Sequence, residues 1–109
     1  MKILLLEDDL ILNEIIQEHL IEKEHSVLSL FTGDDAQDAI YSKTFDILLL
    51  DVNVPNINGF ELLNQLRKNG IKTPAIFITS ANMLEDIEIG FNSGCDDYIK
   101  KPFELKELD

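Results

Sequence analysis

The chain has one cysteine, Cys95, and 9 lysines and arginines against 21 aspartates and glutamates. A single cysteine excludes an intramolecular disulfide and a cysteine-rich zinc site. Cys95 reads as a small buried residue rather than a reactive thiol. No apolar run approaches the length of a membrane span. Lys2 is followed by only four apolar residues before Glu7, too few for a signal peptide. The net charge of −12, with no cluster of lysine or arginine, repels phosphates, so this segment is not expected to bind DNA by itself. Repeats, linkers and low-complexity segments are also lacking. These absences fit one small domain in a reducing cytoplasm, and 45% apolar residues in 109 are enough for a core.

What is present is an alternation of two periods. Ile3 to Leu6 is a short apolar strand ending in Glu7-Asp8-Asp9. From Leu10 the spacing becomes helical: Leu12, Ile15, Ile16 and Leu20 mark one face, and Asn13, Glu14, Gln17 and Glu18 fill the other. Val27 to Phe31 is a second strand, Thr32-Gly33-Asp34 a turn, and Ala36, Ala39 and Ile40 the inner face of a second helix. Ile47 to Leu50 and Val52 are apolar, interrupted by Asp51, as in a strand buried on both faces. Pro55, Asn56, Asn58 and Gly59 turn the chain. Phe60, Leu63 and Leu66 give a third helix, stopped at Asn69-Gly70. Pro74 to Ile78 is a fourth strand, followed by Thr79-Ser80-Ala81. Leu84, Ile87 and Phe91 give a fourth helix, closed by Gly94. Asp97 to Lys100 is a fifth strand, followed by Lys101-Pro102, and a fifth helix begins at Glu104. Strictly alternating strands and helices imply an α/β domain: a parallel sheet with helices on both faces and right-handed crossovers. Only Leu105 and Leu108 dock the fifth helix, so the sequence reads as a domain, residues 1–109, cut short there, with any C-terminal effector domain absent.

Ligands of open parallel sheets sit at the carboxyl ends of the strands. Glu7 and Asp8 follow the first, Asp51 ends the third, Thr79 and Ser80 follow the fourth, and Lys101 follows the fifth. Taken singly, each acidic residue has a plain reading: Asp51 as a turn or N-cap residue, Glu7 and Asp8 as charges favourable at a helix N-terminus. Asp9 is the better cap. If the first and third strands are neighbours, however, Glu7, Asp8 and Asp51 converge. Two carboxylates about 4 Å apart repel by roughly 4 kcal/mol at an effective dielectric of 20, so a convergent trio calls for a cation. An all-oxygen acidic set suits Mg²⁺. Lys101 adds a positive charge and Thr79 a hydroxyl donor. An anionic oxygen nucleophile, a divalent metal, a cation and a donor are the groups phosphoryl transfer needs. His19 and His25 are read as surface or partly buried residues rather than ligands.

The sequence resembles a receiver domain of the two-component response regulators. The resemblance covers the whole chain and rests on Glu7-Asp8, Asp51-x-x-x-Pro55-x-x-x-Gly59, Thr79 before a small residue, and Lys101-Pro102-Phe103. It implies a flavodoxin-like, doubly wound five-stranded parallel sheet of strand order 2-1-3-4-5. It implies that Asp51 accepts a phosphoryl group from a sensor histidine kinase. Asp8, Asp51 and the backbone carbonyl of Asn53 would ligate Mg²⁺, with Glu7 acting through water. Lys101 would pair with the acceptor, and Thr79 and Tyr98 would form a switch pair. Asp96-Asp97-Tyr98 resembles the subgroup that precedes a winged-helix DNA-binding domain, which implies transcriptional regulation in the cytoplasm and contact with DNA only through that further domain.

Two features depart from that subgroup. The fourth helix, Leu84-Glu-Asp-Ile-Glu-Ile89, lacks the basic residue that faces the aspartates across a dimer, and Ile89 offers an apolar contact instead. Ser80 stands where alanine is commoner. Homodimerisation is expected through the fourth helix, fifth strand and fifth helix. Two competing readings are a receiver-like interaction module that is never phosphorylated and an aspartyl-phosphate phosphatase. The phosphatase needs a second aspartate where this chain has Asn53.

Overall fold

The computed structural model describes residues 1–52, 54–79 and 97–100, with the backbone alone for residues 79 and 97–100. Within them β1 (Lys2–Leu6), α1 (Leu10–Glu22), β2 (Ser26–Leu30), α2 (Gly33–Ser42), β3 (Ile47–Asp51), α3 (Gly59–Lys68), β4 (Ala75–Thr79) and β5 (Asp97–Lys100) follow one another. The strands form one parallel sheet of order β2-β1-β3-β4-β5. This is the doubly wound order that the resemblance implies. The expected fourth and fifth helices, Ser80, Ile89, Cys95 and Phe103 lie outside the described residues.

Alternation along the strands builds two cores. Leu4, Leu6, Leu48, Leu50 and Phe77 point to the side covered by α2 and α3 and meet Ala36, Ile40, Leu62, Leu63 and Leu66. Ile3, Leu5, Leu49 and Ile78 point the other way and meet Ile16 and Leu20 of α1. Helices therefore cover both faces, and each fully buried leucine contributes about 1.5–3 kcal/mol. Phe60 of α3 meets Phe77 edge to face, centroids 5.0 Å apart at 78°. Each helix starts on a capping side chain: Asp9 accepts from the N–H of Ile11 and Leu12, Thr32 from Asp35, and Asn58 from Glu61. Such caps satisfy N–H groups that have no partner within the helix.

The structure corrects several details. Asn13, expected on the outer face of α1, is buried at 2% exposure, whereas Ile15, expected inside, is 43% exposed. The inner stripe runs through Leu12, Ile16 and Leu20; at about 100° per residue Asn13 falls about 60° from its centre, next to Leu20, and Ile15 about 100° away on the other side. Gly33 and Gly59 begin helices rather than sitting in the turns before them. β2 ends at Leu30, leaving Phe31 40% exposed. β4 starts at Ala75 because Pro74, which has no N–H, contributes only its carbonyl, to Leu48 N at 2.8 Å.

Candidate functional site

Register brings the acidic residues together. Leu6 stands opposite both Leu30 and Leu50, so the next residues, Glu7 and Asp51, emerge side by side at the carboxyl edge. Glu7 is fully buried and Asp51 is 4% exposed, whereas Asp8 is exposed. One carboxylate oxygen from each of Glu7, Asp8 and Asp51 lies within 4.8 Å of the others. The crevice is at the switch point where the chain, having run from β1 out to β2, returns to β3 on β1's other side, the place where such sheets bind ligands.

Two turns hold these groups in place. In the first, the Glu7 N–H donates to the Leu30 carbonyl at 3.1 Å, and the Asp9 N–H donates to Glu7 Oε2 at 3.1 Å. Asp9 Oδ1 in turn accepts from Ile11 N at 3.0 Å and Leu12 N at 3.1 Å, so the turn and the start of α1 are one hydrogen-bonded unit. In the second, the Gly59 N–H donates to the Val52 carbonyl at 2.9 Å, folding the start of α3 over Asp51. A Cβ on Gly59 would lie 2.5 Å from the Asp51 carbonyl oxygen, which explains glycine eight residues after the aspartate. Asn56 takes a left-handed φ of 73°, and the Gly33 N–H donates to the Pro55 carbonyl at 3.1 Å. A Cβ on Gly33 would overlap the Ile57 carbonyl, so this glycine lets α2 lie against the loop that follows Asp51.

Of the residues expected at the site, Glu7, Asp8 and Asp51 converge. Asn53 and Lys101 lie outside the described residues. The backbone puts Thr79 opposite Lys100, at the same carboxyl edge and one residue past the Asp51–Ile78 pair, and puts Tyr98 opposite Phe77. The reading from sequence missed Asn13, whose Nδ2 donates to the Glu7 carbonyl at 2.9 Å. Its position about 20° beyond Leu20, at the edge of the Leu12–Ile16–Leu20 stripe, was the available signal. A cavity of about 590 Å³ opens at the opposite edge of the sheet, near Lys2, Val27 and Phe45, and has no acidic residue in its lining.

Three carboxylates, two of them buried, form an all-oxygen donor set whose mutual repulsion a hard divalent cation would relieve. The family model for the response regulator receiver domain matches residues 3–109. The transcriptional regulatory protein CrdR of Helicobacter pylori is 41% identical over 109 residues, 99% of this chain and 51% of its own length. The receiver domain of a Francisella response regulator superposes with a TM-score of 0.94 at 33% identity, over 98% of this chain and 88% of that one. The receiver domain of a sensor histidine kinase of Pseudomonas aeruginosa, solved with a magnesium ion coordinated in its active-site cleft, has a TM-score of 0.89 at 28% identity, over 98% and 89%. The chain thus spans about half the length of the curated relatives it matches. In sequence, sheet order and acidic crevice alike, the chain belongs to the response regulator receiver domain family.

Proposed function

We propose that this chain is a phosphorylation-controlled switch that takes a phosphoryl group from a phosphohistidine of a sensor histidine kinase onto Asp51. The observation that carries the reading is the convergence of Glu7, Asp8 and Asp51 within 4.8 Å at adjoining strand ends. A carboxylate oxygen of Asp51 attacks phosphorus, the phosphorus–nitrogen bond breaks, and the histidine leaves. Asp8, Asp51, the Asn53 backbone carbonyl and, through water, Glu7 would hold Mg²⁺, which would supply positive charge to offset the carboxylates and the phosphoryl oxygens. Burial of the Asp51 side chain keeps the nucleophile in one orientation. Lys101 pairs with the Asp51 carboxylate before transfer and with the phosphoryl group after it. The Thr79 hydroxyl donates to a phosphoryl oxygen, and the Tyr98 ring turns inward as that hydroxyl moves. Water later attacks phosphorus, releasing inorganic phosphate and restoring Asp51, so the chain catalyses only its own modification and its reversal.

Thr79 and Tyr98 lie on adjacent strands at the far edge of the sheet, so their movement remodels the face that β5 shares with the expected fourth and fifth helices. We infer weak homodimerisation through that face, and regulation of transcription through an effector domain, as the output. The second inference is supported by relatives about twice as long as this chain, which are transcriptional regulatory proteins. No helix among the described residues is long and apolar enough to cross a membrane, in keeping with the proposed exchange with a cytoplasmic kinase domain.

Acetyl phosphate with Mg²⁺ tests the acceptor. Intact mass should rise by one phosphoryl group in the wild type and not in Asp51→Asn. Modification that persists in Asp51→Asn would place the acceptor elsewhere.

A further inference from the structure

We propose that Asn13 is a positioning residue for the metal-binding pair: its side-chain amide holds the Glu7 backbone so that the Glu7 and Asp8 carboxylates stay aimed at Asp51. The proposal rests on the reading of Glu7, Asp8 and Asp51 as a Mg²⁺ site. Asn13 lies in the first turns of α1, where an amphipathic helix facing two apolar strands would ordinarily bury an aliphatic residue. It is instead one of three buried polar or charged residues among those described, and the other two are Glu7 and Asp51. Its Nδ2 donates to the Glu7 carbonyl at 2.9 Å and lies 3.5 Å from the Leu30 carbonyl. The Leu30 carbonyl also receives the Glu7 N–H, at 3.1 Å. Asn13 therefore ties α1 to the ends of β1 and β2 at the residue where the acidic turn begins, and its own N–H returns to the Asp9 carbonyl at 2.8 Å.

The electrostatics give this tie its consequence. Without a cation, repulsion among the three carboxylates pushes the Glu7–Asp8 turn away from Asp51. The Asn13 hydrogen bond opposes that movement from behind, at the backbone, where it takes no ligand position. Remove it, and the metal-free turn relaxes outward; binding a cation must then draw it back. The effect falls on metal affinity, in the range of 10–100-fold usual for residues that hold a ligand in place. A purely structural role would lower the stability of the metal-free and metal-bound protein equally.

The test is calorimetric titration of the whole chain with Mg²⁺, with thermal melts in EDTA and in saturating Mg²⁺. Asn13→Leu keeps the branched shape and number of heavy atoms and removes both polar atoms. Asn13→Ser leaves a hydroxyl and room for water, and serves if the leucine variant does not fold. The Mg²⁺ dissociation constant is expected to rise about tenfold, or about 1.4 kcal/mol. The Mg²⁺-induced rise in melting temperature should shrink accordingly. Phosphorylation by acetyl phosphate should slow at low Mg²⁺ and recover at high Mg²⁺. A dissociation constant within twofold of wild type, with melting temperatures lowered in parallel with and without Mg²⁺, overturns the role of Asn13 alone. A wild-type protein that takes up no Mg²⁺ overturns the reading of the site, and the role of Asn13 with it.

Discussion

Replacing Asp51 by asparagine should make the protein more stable without metal and less responsive to metal. Glu7 and Asp51 are both buried, with carboxylate oxygens within 4.8 Å. At 4.8 Å and an effective dielectric of 20, their repulsion is about 3.5 kcal/mol, and it is larger at any shorter separation. Asp8 is exposed, so its repulsion with Asp51 is nearer the water limit, about 1 kcal/mol. Asp51 also has at least one further interaction, and losing any that its carboxylate makes offsets part of the gain. Asparagine has nearly the same shape, and its amide turns donors toward Glu7 and Asp8. The net expectation is about 1–2 kcal/mol of added stability in EDTA, roughly 5–10 °C in melting temperature for a domain of this size. Wild type should gain about 2.7 kcal/mol from Mg²⁺ at a hundredfold excess over its dissociation constant. The variant, with one ligand fewer, should gain less than half of that. Melts followed by circular dichroism, with EDTA and with Mg²⁺, should thus show the variant ahead without metal and the gap closing or reversing with it. An Asp51→Asn protein that melts at or below wild type in EDTA would refute the reasoning, because the carboxylates would then already be neutralised from within the protein.

The remaining predictions concern the scaffold and the output. Gly59→Ala forces a Cβ to within 2.5 Å of the Asp51 carbonyl oxygen, so it should cost about 1–3 kcal/mol by denaturant titration and slow phosphorylation by acetyl phosphate. Asp9→Ala removes the acceptor for Ile11 and Leu12 N–H but leaves the Asp9 N–H on Glu7, so it should cost about 1 kcal/mol with little change in Mg²⁺ affinity. The fourth-helix sequence Leu84 to Ile89 has no lysine or arginine, so the proposed dimer should be weak in sedimentation with a phosphate mimic and little changed by salt. A tight dimer that dissociates as salt rises would show that charge pairs hold that face.

The chain itself determined the order and type of its elements, because hydrophobic period is a local property. Ile3–Leu6 and Ile47–Leu50 are too short and too uniformly apolar for anything but buried strands. Asp9, Asn58 and the glycine after Asn69 carry helix boundaries in their own side chains or lack of one. The motif residues were legible for the same reason, each standing at the end of its own strand. Only the tertiary structure decided what those ends meet. β1 lies between β2 and β3, and that placement, a matter of long-range pairing, sets Glu7 beside Asp51. Gly33 and Gly59 look like turn residues in sequence; they are needed because the Ile57 and Asp51 carbonyls from other parts of the chain occupy the space of a side chain. Asn13 is the clearest case. Polarity assigned it to solvent, but the first turns of α1 overhang the carboxyl edge of the sheet, where strand ends present carbonyls rather than apolar side chains. A buried position there selects a donor, and which helical residue occupies it depends on how the helix is rotated against the strands.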